Sequence, residues 1–169
     1  MDKKALKVPK RSKQVKVWVH PVGPVLGTIF LNHQSNIHEG EEAPIEVLNH
    51  PAPFLVMKCG QYEDVRFYSK NSIVRVEHAG KAPLGESSLV TLPTRLYMMD
   101  GSVLDGFIRE SLPPEHSRLF DYLNILQDRF VRLYAHGNEV LLVNKAYIAR
   151  VSPDEHWVAN GSVSKTHTS

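Results

Sequence analysis

Two stretches of the sequence follow one pattern: residues 65–76 read VRFYSKNSIVRV and residues 140–151 read VLLVNKAYIARV. They align without a gap at a numbering offset of 75, with Val, Lys, Ile, Arg and Val at matching places. Each stretch holds two short runs rich in β-branched or aliphatic residues, which is typical of a pair of short strands. Because recurrence at a fixed offset is the signature of an internal repeat, we predict a duplicated unit.

The repeat extends toward the N-terminus. Residues 46–49, EVLN, fall on residues 121–124, DYLN, at the same offset. Further upstream the offset becomes 79, where residues 25–27, VLG, fall on residues 104–106, LDG. The change of offset places a shorter loop after the second strand of the second copy.

Each copy is predicted to hold five short strands and one short helix. The strands expected in the first copy are 15–19, 25–31, 54–58, 65–69 and 73–77, with a helical turn at 44–49. The second copy offers strands at 94–99 and 103–109, a helix at 117–126, and three further strands at offsets of 75 or 76 from their partners. The glycine in each second strand indicates a close backbone approach. Closing so small a sheet removes its exposed edges, so we predict a mainly β protein of two tandem small β-barrel units related by pseudo-twofold symmetry.

Charge and turn residues divide the chain into five segments. Residues 1–16 carry seven basic side chains against Asp2, so this arm has a charge of +6 and the remainder has −4. A like-charged terminal block is typical of a solvated arm, although it can also attract phosphate backbones. The predicted segments are a disordered basic arm (1–14), the first barrel (15–77), a linker (78–89), the second barrel (90–152) and a disordered tail (153–169).

The composition excludes several classes of protein. The chain has 169 residues, 42% hydrophobic and 22% charged, which is ordinary for a globular protein. A single cysteine, Cys59, excludes a disulfide framework, and its place beside Gly60 favours an inert, half-buried thiol. No apolar run approaches the roughly 18 residues of a membrane span, and no apolar core follows the N-terminal lysines as in a signal peptide. We therefore expect a cytoplasmic protein that does not bind membranes.

Two resemblances follow from these motifs. Residues 118–151 resemble a set of uncharacterised bacterial proteins with the signature Arg-Leu-x-Asp-x-Leu-Asn, then Phe, then Leu-Val-Asn-Lys-x-x-Ile-x-x-Val; this resemblance implies no activity. The second copy is also similar, more distantly, to Sm-like units, through an apolar strand, Asp100-Gly101 and a glycine-bearing strand over residues 96–108. Residues 143–151 have the spacing of the closing Sm-like motif, but Asn144-Lys145 stands where that motif has Arg-Gly. A Pro-Pro-containing insert before Asp121 is a second departure from the Sm-like pattern. The implied fold is an Sm-like or SH3-like small barrel.

The Sm-like resemblance implies that loop asparagines and lysines contact RNA. Asn can read a base edge and Lys can neutralise a phosphate. The alternative is that these are turn residues, and we favour it because no aromatic platform interleaves with the basic positions. The candidate RNA-binding residues are Asn49, Lys70, Asn124, Asn144 and Lys145, with Lys3, Lys4, Lys7, Lys10, Arg11 and Lys13 of the arm.

Catalytic motifs are absent from the sequence. It holds no Gly-x-Ser-x-Gly elbow, no phosphate-binding glycine loop before a helix and no His-Glu-x-x-His. One loop contains His33 and His38 followed by Glu39, Glu41 and Glu42, but the spacing matches no recognised zinc pattern. We therefore predict no metal, no cofactor and no catalytic residues.

The sequence leaves three functions in order of preference. The first is a non-enzymatic interaction or assembly module, with an unknown protein partner or with self-association. The second is RNA binding through the Asn and Lys loops, aided by the basic arm. The third is a metal-dependent enzyme that uses the His/Glu loop.

Overall fold

The computed structural model describes residues 10–85, 87–125 and 127–153. These residues form one antiparallel sheet of ten strands with two short α-helices. The strands are β1 (Lys10–Val19), β2 (Gly23–Asn32), β3 (Phe54–Cys59), β4 (Asp64–Ser69), β5 (Ile73–Ala79), β6 (Leu89–Met98), β7 (Val103–Ser111), β8 (Phe130–Ala135), β9 (Glu139–Asn144) and β10 (Ile148–Pro153). The helices are α1 (Pro44–Asn49) and α2 (Leu119–Ile125), and single-turn 3-10 helices lie at Pro114–His116 and Lys145–Tyr147.

The mainly β prediction, with a short helix in each half, is confirmed. The strand bounds differ most at β1, which begins at Lys10, so residues 10–14 are paired with β2 rather than lying in the predicted arm. Cross-strand contacts explain this extension, since the Gln14 amide donates to the Thr28 hydroxyl at 3.1 Å. In the same way, the predicted linker loses His78 and Ala79 to β5 and Leu89 to β6.

The strand order repeats along the sheet. The full order is β10-β6-β7-β8-β9-β5-β1-β2-β3-β4, so the first half's β5-β1-β2-β3-β4 recurs in the second half as β10-β6-β7-β8-β9. The halves meet where β5 pairs with β9, a contact we call the internal junction. This arrangement is head to tail, because unlike strands meet. The expected pseudo-twofold would bring like strands together, so the strand order departs from that expectation.

The buried side chains form two clusters that share β9. Val140 and Leu142 pack into the cluster of the first half, while Leu141 and Val143 pack into that of the second half. Successive strand residues point to opposite faces, so β9 is covered on both sides. This burial explains its uninterrupted apolar run.

A glycine permits the close approach of β2 and β3, and another that of β7 and β8. A Cβ on Gly27 would lie 2.8 Å from the carbonyl oxygen of Lys58, and a Cβ on Gly106 would overlap the carbonyl oxygen of Tyr134. The prediction of close backbone approach at both glycines is confirmed.

Candidate interaction surface

The internal junction is built from main-chain pairing and one helix contact. β5 and β9 pair in a register that sets Arg75 opposite Val143 and Ala79 opposite Glu139. Asn49, at the end of α1, binds the main chain of Phe130 in β8 twice: its amide donates to the carbonyl at 3.2 Å, and its carbonyl accepts from the N–H at 2.8 Å. The first half therefore contributes a strand edge and a helix to the junction.

The second half adds a buried asparagine and a tyrosine to the junction. The Asn144 amide donates to the carbonyls of Ile73 at 2.9 Å and Lys70 at 3.3 Å. The Tyr147 hydroxyl donates to the carbonyl of Asn71 at 2.7 Å. Both side chains bind the turn between β4 and β5, so they fix the register of the two halves.

A lysine in each half binds the end of a helix. Lys70 is 2% exposed, and its Nζ donates to the carbonyls of Val47 at 2.8 Å and His50 at 2.7 Å. Burial lowers the pKa of Lys70. In the second half, Lys145 Nζ donates to the carbonyl of Leu123 at 3.4 Å. A cation suits this position because the last carbonyls of a helix lack intrahelical partners.

An arginine also stacks on an aromatic ring in each half. The Arg75 guanidinium lies 4.1 Å from the centre of the Trp18 ring, and that of Arg150 lies 3.7 Å from the centre of the Tyr97 ring. Arg75 is buried at the junction, where its Nε donates to Glu77 at 2.9 Å. Arg150 is exposed.

One end of the sheet exposes an apolar face. Among the described strands β4 pairs only with β3, so its other edge is open. The outward face of these two strands carries four exposed apolar side chains, which we call the β3–β4 patch: Phe54 (53% exposed), Val56 (43%), Val65 (55%) and Phe67 (66%). Val56 lies directly opposite Phe67 in the register. A contiguous apolar patch on an open sheet edge is typical of a protein-binding surface.

The opposite end of the sheet is also open. β10 pairs only with β6 among the described strands. The neighbouring helix α2 exposes Phe120 (73%) and Asn124, whose amide donates to the carbonyl of Phe120 at 2.8 Å. We call β10, Phe120 and Asn124 the β10–α2 surface.

The predicted RNA-binding residues divide into three groups. Asn49, Lys70 and Asn144 lie at or beside the junction with their amides or ammonium bound to main-chain atoms, whereas Asn124 lies on α2 and Lys145 beneath it. Of the arm, Arg11 contacts Glu41 at 3.2 Å, Lys13 donates to the Ala79 carbonyl at 2.9 Å, and Lys10 is exposed at the start of β1. Lys3, Lys4 and Lys7 lie outside the described residues, and RNA binding by the whole set stays a prediction.

The loop with the histidines and glutamates is held by a hydrogen-bond network. Glu46 accepts from the Ala43 N–H and the Ser35 hydroxyl, each at 2.5 Å, and lies 3.0 Å from Nε2 of His38. Burial opposes ionisation of Glu46, but these hydrogen bonds together lower its pKa. The carbonyl of Glu39 and the carboxylate of Glu46 raise the pKa of His38. Within the described residues no group of three or more His, Cys, Asp and Glu is placed to hold a metal ion.

A cleft of about 510 Å³ follows the junction between α1 and strands β7 and β8. Burial is the main cause that raises the pKa of Glu110 in its wall. Arg132 faces the same cleft, and its Nη1 donates to the Tyr134 hydroxyl at 3.3 Å. The cleft offers an acid and a base of opposite charge, beside the buried ring of Tyr122. Neither Glu110 nor Arg132 was singled out from the sequence.

The sequence analysis also missed the β3–β4 patch. One signal was available, because residues 54–57 read FLVM, which is apolar at every position rather than at every second one. Such a run is typical of a strand covered on both faces. In the structure Leu55 and Met57 are buried while Phe54 and Val56 are exposed.

Comparison of the chain with protein-family models, with curated protein sequences and with solved structures found no match. Across the described ranges, no helix is both long enough and apolar enough to cross a membrane.

Proposed function

We propose that the chain is a non-enzymatic protein-interaction and assembly module made of two tandem small β-barrel units, each with one short helix. The observation that carries the interaction function is the β3–β4 patch, where Val65 and Phe67 are exposed on a strand with an open edge. Burying such side chains against a partner removes apolar surface from water, which is the main driving force of association.

Matching contacts in the two halves support the tandem-unit part of the proposal. The N–H of Lys70 donates to the carbonyl of Pro53 at 2.9 Å, and that of Lys145 donates to the carbonyl of Arg129 at 2.9 Å. The donors correspond at an offset of 75 and the acceptors at an offset of 76, as in the sequence alignment. The shared strand order, the helix-binding lysines and the Arg–aromatic stacks follow the same correspondence.

A differential retention experiment tests the interaction function. Tagged wild-type chain, Phe67→Glu and Leu84→Glu are incubated with native extract and an untagged copy of the chain, with and without nuclease. Leu84 is a matched control, since it is 89% exposed but lies outside the β3–β4 patch. We expect at least one polypeptide to be retained by wild type and Leu84→Glu, to be lost from Phe67→Glu, and to resist nuclease.

Two results would overturn the proposal. One is a set of retained polypeptides that does not differ between wild type and Phe67→Glu. The other is retention that disappears with nuclease, which would favour RNA binding instead, especially if it also falls steeply with salt.

A further inference from the structure

We infer that the occupant of the β3–β4 patch is the β10–α2 surface of a second copy of this chain, so that copies join head to tail through a repeat of the internal junction. This inference rests on the proposed function and names its partner. It begins from the junction itself, which shows how the first half's β5 and α1 cover the outward face of β8 and β9.

The β3–β4 patch is the positional counterpart of the face that the junction covers. The offset of 75 places Val65 and Phe67 at the positions of Val140 and Leu142 in β9. Val140 and Leu142 are 3% and 0% exposed, because the core of the first half packs against them. Phe54, one of the two β3 residues of the patch, stands in the same way at the position of the buried Phe130.

The β10–α2 surface is the counterpart of what does the covering. β10 corresponds to β5 at the offset of 75, and Phe120 and Asn124 stand at the positions of Ile45 and Asn49. Ile45 packs against the first core, and Asn49 binds the main chain of Phe130. Phe120 is instead 73% exposed, and Asn124 binds only within its own helix among its hydrogen bonds described here.

The junction also specifies the register of the intermolecular pairing. Transferring the β5–β9 register by the repeat offset on each strand sets Arg150 opposite Tyr68, Val151 opposite Phe67 and Ser152 opposite Arg66. Asn124 of one copy then faces the main chain of Phe54 in the next, as Asn49 faces Phe130. Because the two surfaces differ, the contact is heterologous and produces either a closed ring or an open chain of copies.

The test uses two variants that each remove one side of the contact. Phe67→Glu spoils the β3–β4 patch and leaves the β10–α2 surface intact, while Phe120→Glu does the reverse. The purified full-length proteins are examined by size-exclusion chromatography with light scattering over a concentration series. Circular dichroism and thermal unfolding establish that each variant is folded, and Leu84→Glu is the control.

We expect wild type and Leu84→Glu to form oligomers of the 19.1 kDa chain. Each surface variant alone should self-associate at least about tenfold more weakly, as for a central interface residue. An equimolar mixture of the two variants should form a dimer and nothing larger, since one intact surface of each kind remains. That rescue is specific to a head-to-tail contact.

Three results would overturn the inference: a monomeric wild type at all concentrations, oligomers that persist in both surface variants, or a mixture that shows no dimer. A monomeric wild type that still retains another polypeptide through Phe67 would refute self-association while leaving the proposed function intact. If the purified chain is monomeric and no polypeptide depends on Phe67, both fail.

Discussion

β4 and β9 occupy the same place in the strand order of their halves, but only β9 is covered on both faces. Leu142 of β9 is fully buried, and its counterpart Phe67 of β4 is 66% exposed. The difference arises from neighbours, because β9 lies beside β5 whereas no described strand lies beside the outer edge of β4. The comparison teaches that apolar character on a sheet edge records a place where the pattern of pairing can continue.

The largest expected effect contrasts these two strands. Leu142→Ala should lower the free energy of unfolding by about 4 kcal/mol, because it removes buried methyl groups and leaves a cavity between the halves. Phe67→Ala should change it by no more than about 0.5 kcal/mol at low protein concentration, where its side chain faces water. Urea unfolding followed by circular dichroism measures both. Equal losses for the two variants would remove the contrast between the covered and the open strand.

The helix-binding lysines sharpen the comparison between halves. Lys70→Met should cost about 3 kcal/mol, because it leaves the carbonyls of Val47 and His50 without their buried donor. Lys145→Met should cost about 1 kcal/mol, since its bond to the Leu123 carbonyl is longer at 3.4 Å. The same urea experiment compares the two. A larger loss for Lys145→Met would contradict the assignment of the stronger helix contact to the first half.

The smallest effect concerns the first turn of α1. Glu46→Gln should lower the stability by about 1 kcal/mol near neutral pH, because the neutral amide accepts more weakly from Ala43 N–H and the Ser35 hydroxyl. The lowered pKa of Glu46 means that the carboxylate stabilises the fold above its ordinary value of 4.5. That contribution is lost as the pH falls through the lowered pKa of the folded state.

The difference in unfolding free energy between wild type and Glu46→Gln should therefore shrink as the pH falls below 4.5. Unfolding curves at a series of pH values measure this difference. Ser35→Ala is a useful companion, since it removes one donor and should move the transition toward higher pH. A difference that stays constant with pH would show that the carboxylate charge contributes nothing.

Local features of the fold could be predicted from the sequence because they depend on neighbouring residues. The helix at 44–49 agrees with its predicted bounds, and Gly27 and Gly106 allow the close approaches expected of them. A single turn of helix and a glycine against a carbonyl are decided by a few adjacent side chains.

The junction could not be predicted because strand periodicity does not say which edges pair. Val140 and Leu141 look alike in the sequence, yet they face different cores. Asn49, Lys70 and Asn144 were correctly singled out as special positions, but main-chain hydrogen bonds show their role only once the halves are in place. The same polar chemistry that suggested RNA contact also suits binding of helix ends and strand edges.

Disulfide trapping tests most directly whether the open edges repeat the internal junction. Arg66→Cys and Ser152→Cys are made as separate single variants, and the native Cys59 is buried. Opposed residues of antiparallel strands lie about 4.5 to 5.5 Å apart, within reach of a disulfide. Mild oxidation of the mixture should give a disulfide-linked dimer that joins the two variants, and neither variant alone should cross-link. A dimer formed by Arg66→Cys alone, or no dimer in the mixture, would contradict the head-to-tail account.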